Sequence, residues 1–213
     1  MKHFYVTLLV PLCVVIPIIA GFTKRVFLDK SLRIIFMYLL FVATIAIPMR
    51  ILGSRNINNL PLLHIYTLAE FLFLSGFFIY VLNKHMVPVV VAIGVLFSVC
   101  CIFNMAYLQN VYIYNSYSRP LAAGIIIFYA MLYLLRQTTS ENDDDILRQP
   151  KSWIVIGLLI YFCSSIFYFA FLKLLSDSAD PSIYFLMGNI HASLVLLMYL
   201  LFCRAFLFYQ HER

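Results

Sequence analysis

The amino-acid sequence predicts an all-α, polytopic integral membrane protein with seven transmembrane helices, and two observations lead to this fold class. The chain of 213 residues is 64% hydrophobic and only 11% charged, whereas soluble domains are ~45–50% apolar and ~25% charged. The apolar residues also form seven continuous runs, most of them near the ~20 residues that a helix needs to cross the hydrocarbon core. A water-soluble globule could not cover so much apolar surface with so few charges, so the bilayer is the expected solvent.

The seven runs predict one transmembrane domain over residues 1–213, with no separate soluble domain. Lipid cannot satisfy exposed backbone polar groups, so continuous apolar runs are expected to be helical, and the alternating strands of a β-barrel are missing. The first run mimics a signal peptide, but no small-residue cleavage site follows it, so we expect a retained helix. The predicted spans are residues 4–22, 32–49, 62–82, 87–104, 119–136, 152–174 and 183–206.

Lys and Arg are distributed unevenly between the two sets of connections, and this bias predicts the orientation. Cytoplasmic connections carry an excess of Lys and Arg. The set that follows the odd-numbered spans holds ten of them and the other set holds five, which places the N-terminus outside and the C-terminus in the cytoplasm. The richer set contains Lys24, Arg25, Lys30, Arg33, Lys84, Arg136, Arg148, Lys151, Arg204 and Arg213, and the poorer set contains Lys2, Arg50, Arg55, Arg119 and Lys173.

Two connections have unusual compositions. The acidic segment 138–150 is expected to be a solvated cytoplasmic loop, because it lacks the spaced ligands and central glycine of an EF-hand. The tyrosine-rich segment 106–120 is expected on the outer side. Its tyrosines suit an interfacial aromatic belt, and a cap over an outward-facing pocket is the alternative.

Several function classes are excluded by composition and motifs. The formal net charge is +6, but the basic residues are scattered between apolar runs and form no nucleic-acid recognition motif. The five cysteines lie inside apolar runs without a CxxC pair, as expected of small hydrophobic residues. No phosphate-binding loop or nucleophile elbow is present, so no cofactor is expected.

Glu70 and His191 are the candidate functional residues, because each is an ionisable group within a predicted span. Such a residue costs ~2.5–3.5 kcal/mol at the bilayer centre on insertion scales and usually has a partner in the bundle interior. Counted from the predicted span starts, both lie about eight residues in, roughly 12 Å below the outer boundary. We therefore expect their side chains to approach each other or to share a hydrated cavity.

Other polar residues extend this candidate site through the outer half of the predicted bundle. Tyr66 lies four residues before Glu70 and therefore on the same helix face. Arg119 opens the fifth span on the same side of the membrane. The full predicted site for a ligand or a proton consists of Glu70, His191, His64, Asn189, Thr67, Tyr66, Arg119 and Asn104.

These residues leave four interpretations open. The first is a dry hydrogen-bonded contact that locks the third span to the seventh. The second, which we favour, is an outward-facing pocket in a small receptor, sensor or ligand-binding subunit. The third is a compact transporter of a small solute or a proton-coupled substrate, with His poised near neutral pH. The fourth, in which His64, Glu70 and His191 bind zinc in an intramembrane hydrolase, lacks a recognised ligand spacing, so a non-enzymatic role is favoured.

The expected partners are the lipid bilayer and a cytoplasmic or membrane signalling protein, because the chain has no output domain of its own. No nucleic-acid partner is expected. In architecture alone, the predicted bundle is similar to the seven-helix sensor modules attached to bacterial histidine kinases. A bacterial cytoplasmic (inner) membrane is the expected location.

Overall fold

A computed structural model describes residues 5–139, 146–178 and 181–210, and residues 169–178, 181 and 184 are described by their backbone alone. The described chain is helical without strands, and seven helices are long and apolar enough to cross a membrane. This confirms the seven predicted helices, while insertion and orientation stay predictions. The helices are α1 (Tyr5–Thr23), α2 (Lys30–Ser54), α3 (Leu60–Val81), α4 (Lys84–Leu108), α5 (Ser118–Thr139), α6 (Pro150–Ser178) and α7 (Pro181–Phe208).

Proline and Asp29 mark where several of these helices begin. Proline lacks an amide hydrogen, and the first turn of a helix does not need one. A proline therefore stands in the first turn of α3, α6 and α7, and Pro88 follows the short 3₁₀ turn that opens α4. The acidic residues of the loop predicted over residues 138–150 all fall at 140–145, outside the described residues.

Asp29 caps α2 and joins it to α6. Its Oδ1 accepts hydrogen bonds from the amides of Ser31 and Leu32 at 2.8 and 2.9 Å, and its Oδ2 lies 3.6 Å from Lys151 Nζ. Burial alone would raise the pKa of Asp29, but these hydrogen bonds, a further one from the Ser31 hydroxyl and the charge of Lys151 together lower it.

The first helix is irregular near its start, and Arg50 binds a backbone carbonyl there. α1 begins with a π-helical segment over Tyr5–Leu9 and is interrupted again just after Pro11. Pro11 has no amide hydrogen to donate to the carbonyl of Thr7. The Arg50 guanidinium donates to that carbonyl at 2.9 Å instead. Arg50 therefore joins the end of α2 to the start of α1 and does not belong to the candidate site.

Six helices form a closed ring and the seventh lies outside it. In the order α1, α2, α3, α5, α6, α7, each helix packs against the next, and α7 packs back against α1. α4 contacts α3 and α5 from the outside and exposes a row of apolar side chains such as Val95, Leu96 and Val99. The interior of the ring is therefore lined by every helix except α4.

The two halves of this interior differ in polarity. We call the half that contains Asp29 the Asp29 end, and the half that contains His64 the His64 end. The Asp29 end corresponds to the predicted cytoplasmic side. Its core is apolar and fully buried, and it includes Ile35, Leu39, Leu74, Phe77, Phe78, Ile154, Val155, Leu158, Phe202 and Phe206. Most of the predicted site residues lie in the other half.

Candidate polar site inside the helix ring

The Glu70 carboxylate lies inside the ring and accepts hydrogen bonds from two tyrosines. Only 4% of Glu70 is exposed. The Tyr38 hydroxyl donates to Oε1 at 2.7 Å and the Tyr66 hydroxyl donates to the same atom at 2.8 Å. Hydrogen bonds to a charged acceptor are stronger than those between neutral groups, so the two tyrosines compensate part of the cost of burying Glu70.

Helix geometry explains why Tyr66 and Tyr38 meet at one oxygen. Tyr66 and Glu70 are four residues apart on α3, the spacing that brings two side chains together on one helix face. The ring of Tyr66 stacks on Phe41 of α2, with centroids 6.1 Å apart and planes at 14°. This stacking brings α2 close enough for the hydroxyls of Tyr38 and Tyr66 to lie 3.3 Å apart. The predicted shared face of Tyr66 and Glu70 is confirmed.

Arg119 places a positive charge beside this cluster. Its guanidinium carbon lies 5.7 Å from the centroid of the Tyr66 ring, within the range of a cation–π interaction. Arg119 also interacts electrostatically with Glu70 and Tyr161. Among the described residues Glu70 forms no ion pair within 4 Å, so the two charges balance each other at a longer distance than a salt bridge.

Two further tyrosines, Tyr161 of α6 and Tyr199 of α7, complete the cluster and were not predicted. They are 4% and 5% exposed, and both lie within electrostatic range of Glu70, although the hydrogen bonds that Glu70 accepts come from Tyr38 and Tyr66. A buried tyrosine hydroxyl normally finds a polar partner, and that expectation is the signal in the sequence that could have identified them. Their contribution means that α2, α3, α5, α6 and α7 all place a polar side chain around one point.

His191 lies outside this cluster and stacks against tyrosines of α6. Its ring is 4.4 Å from the ring of Tyr168 with planes at 6°, and 5.5 Å from the ring of Tyr161. It also interacts electrostatically with Arg119. The predicted direct contact between Glu70 and His191 is not formed. Tyr161 and Arg119 lie near both Glu70 and His191. A hydrated cavity shared by Glu70 and His191 stays a prediction.

The helix bounds give two different comparisons of the depths of Glu70 and His191. By helical rise, Glu70 lies about 16 Å from the end of α3 at Val81, whereas His191 lies about 25 Å from the end of α7 at Phe208. Both of these ends belong to the Asp29 end of the bundle. Counted from the opposite ends, at Leu60 and Pro181, both residues lie ten residues in, so their match in depth stays a prediction.

His64 joins the site to the connection between α4 and α5. His64 is 2% exposed, and its Nε2 donates to the carbonyl of Ile113 at 3.1 Å. In the same connection Tyr114 interacts electrostatically with Arg119, and the Tyr112 carbonyl accepts a hydrogen bond from Asn58 at 2.8 Å. These contacts hold the connection across the start of α3, and the cap over a pocket considered for this tyrosine-rich segment stays a prediction.

Asn104 acts inside that connection. Its side-chain amide donates to Gln109 Oε1 at 3.3 Å and to Ser118 Oγ at 3.2 Å. Gln109 in turn donates to the carbonyl of Tyr114 at 2.6 Å. Asn104 therefore shapes the loop and does not contact the Glu70 cluster.

The remaining predicted residues have local roles or none that the structure explains. The buried Thr67 hydroxyl donates back to the carbonyl of Leu63 at 2.9 Å, a bond within α3 that makes no contact with another helix. Asn189 is half-buried on α7, and its backbone carbonyl accepts a bond from Ser193 at 2.9 Å. No group of three metal-ligating side chains converges within the described residues, so His64, Glu70 and His191 do not form the zinc site considered above.

No family model, curated protein or solved structure matches this chain. The chemistry of the site therefore has to be inferred from its own geometry. The cluster combines one carboxylate, one guanidinium and four tyrosine hydroxyls, inside walls that are otherwise apolar. Such a set can hold a small molecule by charge and hydrogen bonds.

Proposed function

We propose that this protein is a ligand-binding membrane subunit of the receptor or sensor type, with a polar pocket that is reached from the outer face. The observation that supports the proposal most strongly is the convergence of Glu70, Arg119 and four tyrosines from five helices. A contact between two helices needs only one pair of polar groups, whereas the polar groups of this cluster come from five helices. A ligand that binds among them would contact each of these helices and could change how they pack.

The apolar core of the Asp29 end favours a receptor over a transporter. A transporter needs polar access to its site from both sides in turn. Below Glu70 the ring is filled by fully buried apolar side chains, among them Phe77, Phe78 and Phe202. A signal can pass through such a packed core as a shift of the helices, but a solute cannot pass without displacing it.

The proposal includes a cytoplasmic or membrane partner and a bacterial cytoplasmic membrane as location. The connections between the described helices are short, so a signal from the pocket needs another protein to act on. The basic residues of the Asp29 end, including Arg33 and Lys151, support a cytoplasmic position for that end.

Thiol accessibility tests the pocket and separates the interpretations. The five native cysteines are replaced, and Tyr66→Cys and Phe73→Cys are compared. Both positions are half-buried on α3 and both aromatic rings pack on Phe41, but Tyr66 also donates a hydrogen bond to Glu70, which a phenylalanine cannot do. The probe is the anionic methanethiosulfonate ethylsulfonate, added separately to right-side-out and inside-out vesicles.

We expect the probe to modify Tyr66→Cys from the outer face only, and to modify Phe73→Cys from neither face. Modification of Tyr66→Cys from both faces would contradict the receptor assignment and support the transporter. Protection of both cysteines from both faces would show that the Glu70 cluster is a dry contact between helices, and would refute the pocket.

A further inference from the structure

A groove between α6 and α7 opens on the surface of the ring that faces away from its interior, and His191 is among the residues that line it. Its volume is about 240 Å³. The apolar side chains of Phe167 and Ile190 stand at its exposed rim, 65% and 54% exposed. The complete lining is Ser164, Phe167, Tyr168, Met187, Ile190, His191 and Leu194.

His191 connects this groove to the polar cluster. One side of the imidazole lines the groove, and the ring also lies 5.5 Å from the ring of Tyr161. Tyr161 is buried inside the ring and interacts electrostatically with Arg119 and Glu70. The apolar groove and the polar cluster are therefore neighbours, joined where the ring of His191 lies against the ring of Tyr161.

We propose that the ligand of the pocket is a fatty acid, with its carboxylate near Arg119 and its acyl chain extending sideways along the α6–α7 groove toward the bilayer. This inference rests on the proposed function and names the ligand class of the same site.

The position and the volume of the groove indicate how much of a lipid it can hold. In a membrane the rim of the groove faces acyl chains, so burial of a chain there gains little by the hydrophobic effect. Selectivity must come from the headgroup. A volume of about 240 Å³ lies below the ~300–1,000 Å³ of most small-molecule sites, which fits part of one acyl chain and not the two chains of a phospholipid.

The charge of Arg119 indicates that the headgroup of the ligand is a carboxylate. A carboxylate at membrane depth is costly without a cationic partner. A guanidinium is the side chain that best matches a carboxylate, since it donates two parallel hydrogen bonds. Arg119 supplies the guanidinium, and it lies within electrostatic range of His191, which lines the groove. A fatty alcohol offers the same chain without the charge and should not be selected.

Photolabelling of the purified full-length protein in nanodiscs tests this inference. The probes are a diazirine-bearing fatty acid and the fatty alcohol of the same chain. The groove is filled by Ile190→Trp, and Leu186→Trp is the matched control. Both positions lie on α7, one turn apart, with exposures of 54% and 58%, but only Ile190 lines the groove. Arg119→Gln removes the cation, and Arg119→Lys keeps the charge without the planar fork.

We expect the fatty acid to label the segment 187–194 saturably and the alcohol not to do so. Labelling should fall at least about tenfold in Ile190→Trp and in Arg119→Gln, as expected for loss of a chain site or of a charged hydrogen-bond partner, and should persist in Leu186→Trp. If Arg119→Gln does not fold, Arg119→Lys takes its place and should weaken labelling.

Equal labelling by both probes, or equal effects of Ile190→Trp and Leu186→Trp, would overturn the inference. Absence of saturable labelling in the wild-type protein would overturn it as well. The thiol experiment at Tyr66 detects the pocket without this probe. External modification of Tyr66→Cys without fatty-acid labelling would therefore refute the fatty acid and leave the proposed function standing.

Discussion

Tyr38→Phe tests whether the Glu70 cluster stabilises the bundle as the geometry indicates. The substitution removes only the hydroxyl that donates to Glu70 Oε1 at 2.7 Å, and Tyr38 is 1% exposed, so water cannot replace it. Hydrogen bonds to charged groups contribute about 1.5–3 kcal/mol in soluble proteins, whereas interhelical bonds in membranes average about 0.6 kcal/mol with a maximum near 1.7. Since Tyr66 still donates to the same oxygen, we expect a loss of about 1–1.5 kcal/mol.

Tyr129→Phe is the matched control for Tyr38→Phe. Tyr129 is fully buried on α5, and its hydroxyl has no hydrogen-bond partner within the described residues. Removing an unsatisfied buried hydroxyl relieves a desolvation cost, so this substitution should leave the free energy of unfolding unchanged or raise it. The same atom is removed from the same residue type in both variants, so the difference between them isolates the bond to Glu70.

The free energy of unfolding is measured by titration with sodium dodecyl sulfate in mixed micelles, with helicity as the signal. A double-mutant cycle of Tyr38→Phe with Glu70→Gln should give a coupling energy of about 1 kcal/mol, as expected for residues in direct contact. Equal effects of Tyr38→Phe and Tyr129→Phe, or a coupling energy near zero, would refute the assignment of Tyr38 as a partner of Glu70.

Three further predictions concern packing and charge away from the site. Gly21→Ala should destabilise the bundle by about 1–3 kcal/mol by overpacking, because the added Cβ would lie 2.6 Å from a ring carbon of Phe36. Gly94→Ala is the control, because a Cβ added there would meet no atom within 4 Å, and it should be neutral or stabilising in the same titration. Asp29 has a lowered pKa, so its contribution to stability should be complete above the ordinary carboxyl pKa of 3.8 and should be lost as the pH falls through the lowered pKa. Thermal unfolding of Asp29→Asn should lack this acid-dependent loss. Lys151→Met should lower the unfolding temperature only slightly, because the ion pair is partly exposed, and a large loss would contradict this account.

The seven helices could be predicted because the bilayer imposes a length on each apolar run. The predicted starts of all seven spans lie within three residues of the helix starts that the structure shows, and the third predicted span, residues 62–82, nearly coincides with α3 at Leu60–Val81. One difference is at the end of α6, which was predicted at residue 174 but continues to Ser178. The polar residues near Asp177 end the apolar run before the helix ends, and hydropathy detects only the apolar part of a helix.

Interactions within one helix could be predicted, but those between helices could not. The contact of Tyr66 with Glu70 follows from a spacing of four residues on α3. The contribution of Tyr38, Tyr161 and Tyr199 depends on the order in which helices pack around the ring, which the pattern of apolar residues does not specify. Since α4 is excluded from the ring, α3 meets α5 directly, and this contact brings Arg119 to the site.

The two tyrosines that bind Glu70 also bear on the choice between a pocket and a dry clasp. Tyr38 and Tyr66 both donate to Oε1, so the second oxygen, Oε2, has no hydrogen bond within the described residues. A dry contact evolved only to join α2 to α3 would be more stable with a donor at each oxygen, because a carboxylate can accept through both. Arg119 lies near enough to interact with Glu70 but forms no close ion pair with it. Such an arrangement leaves the carboxylate able to accept one more donor, from water or from a ligand, without breaking either tyrosine bond.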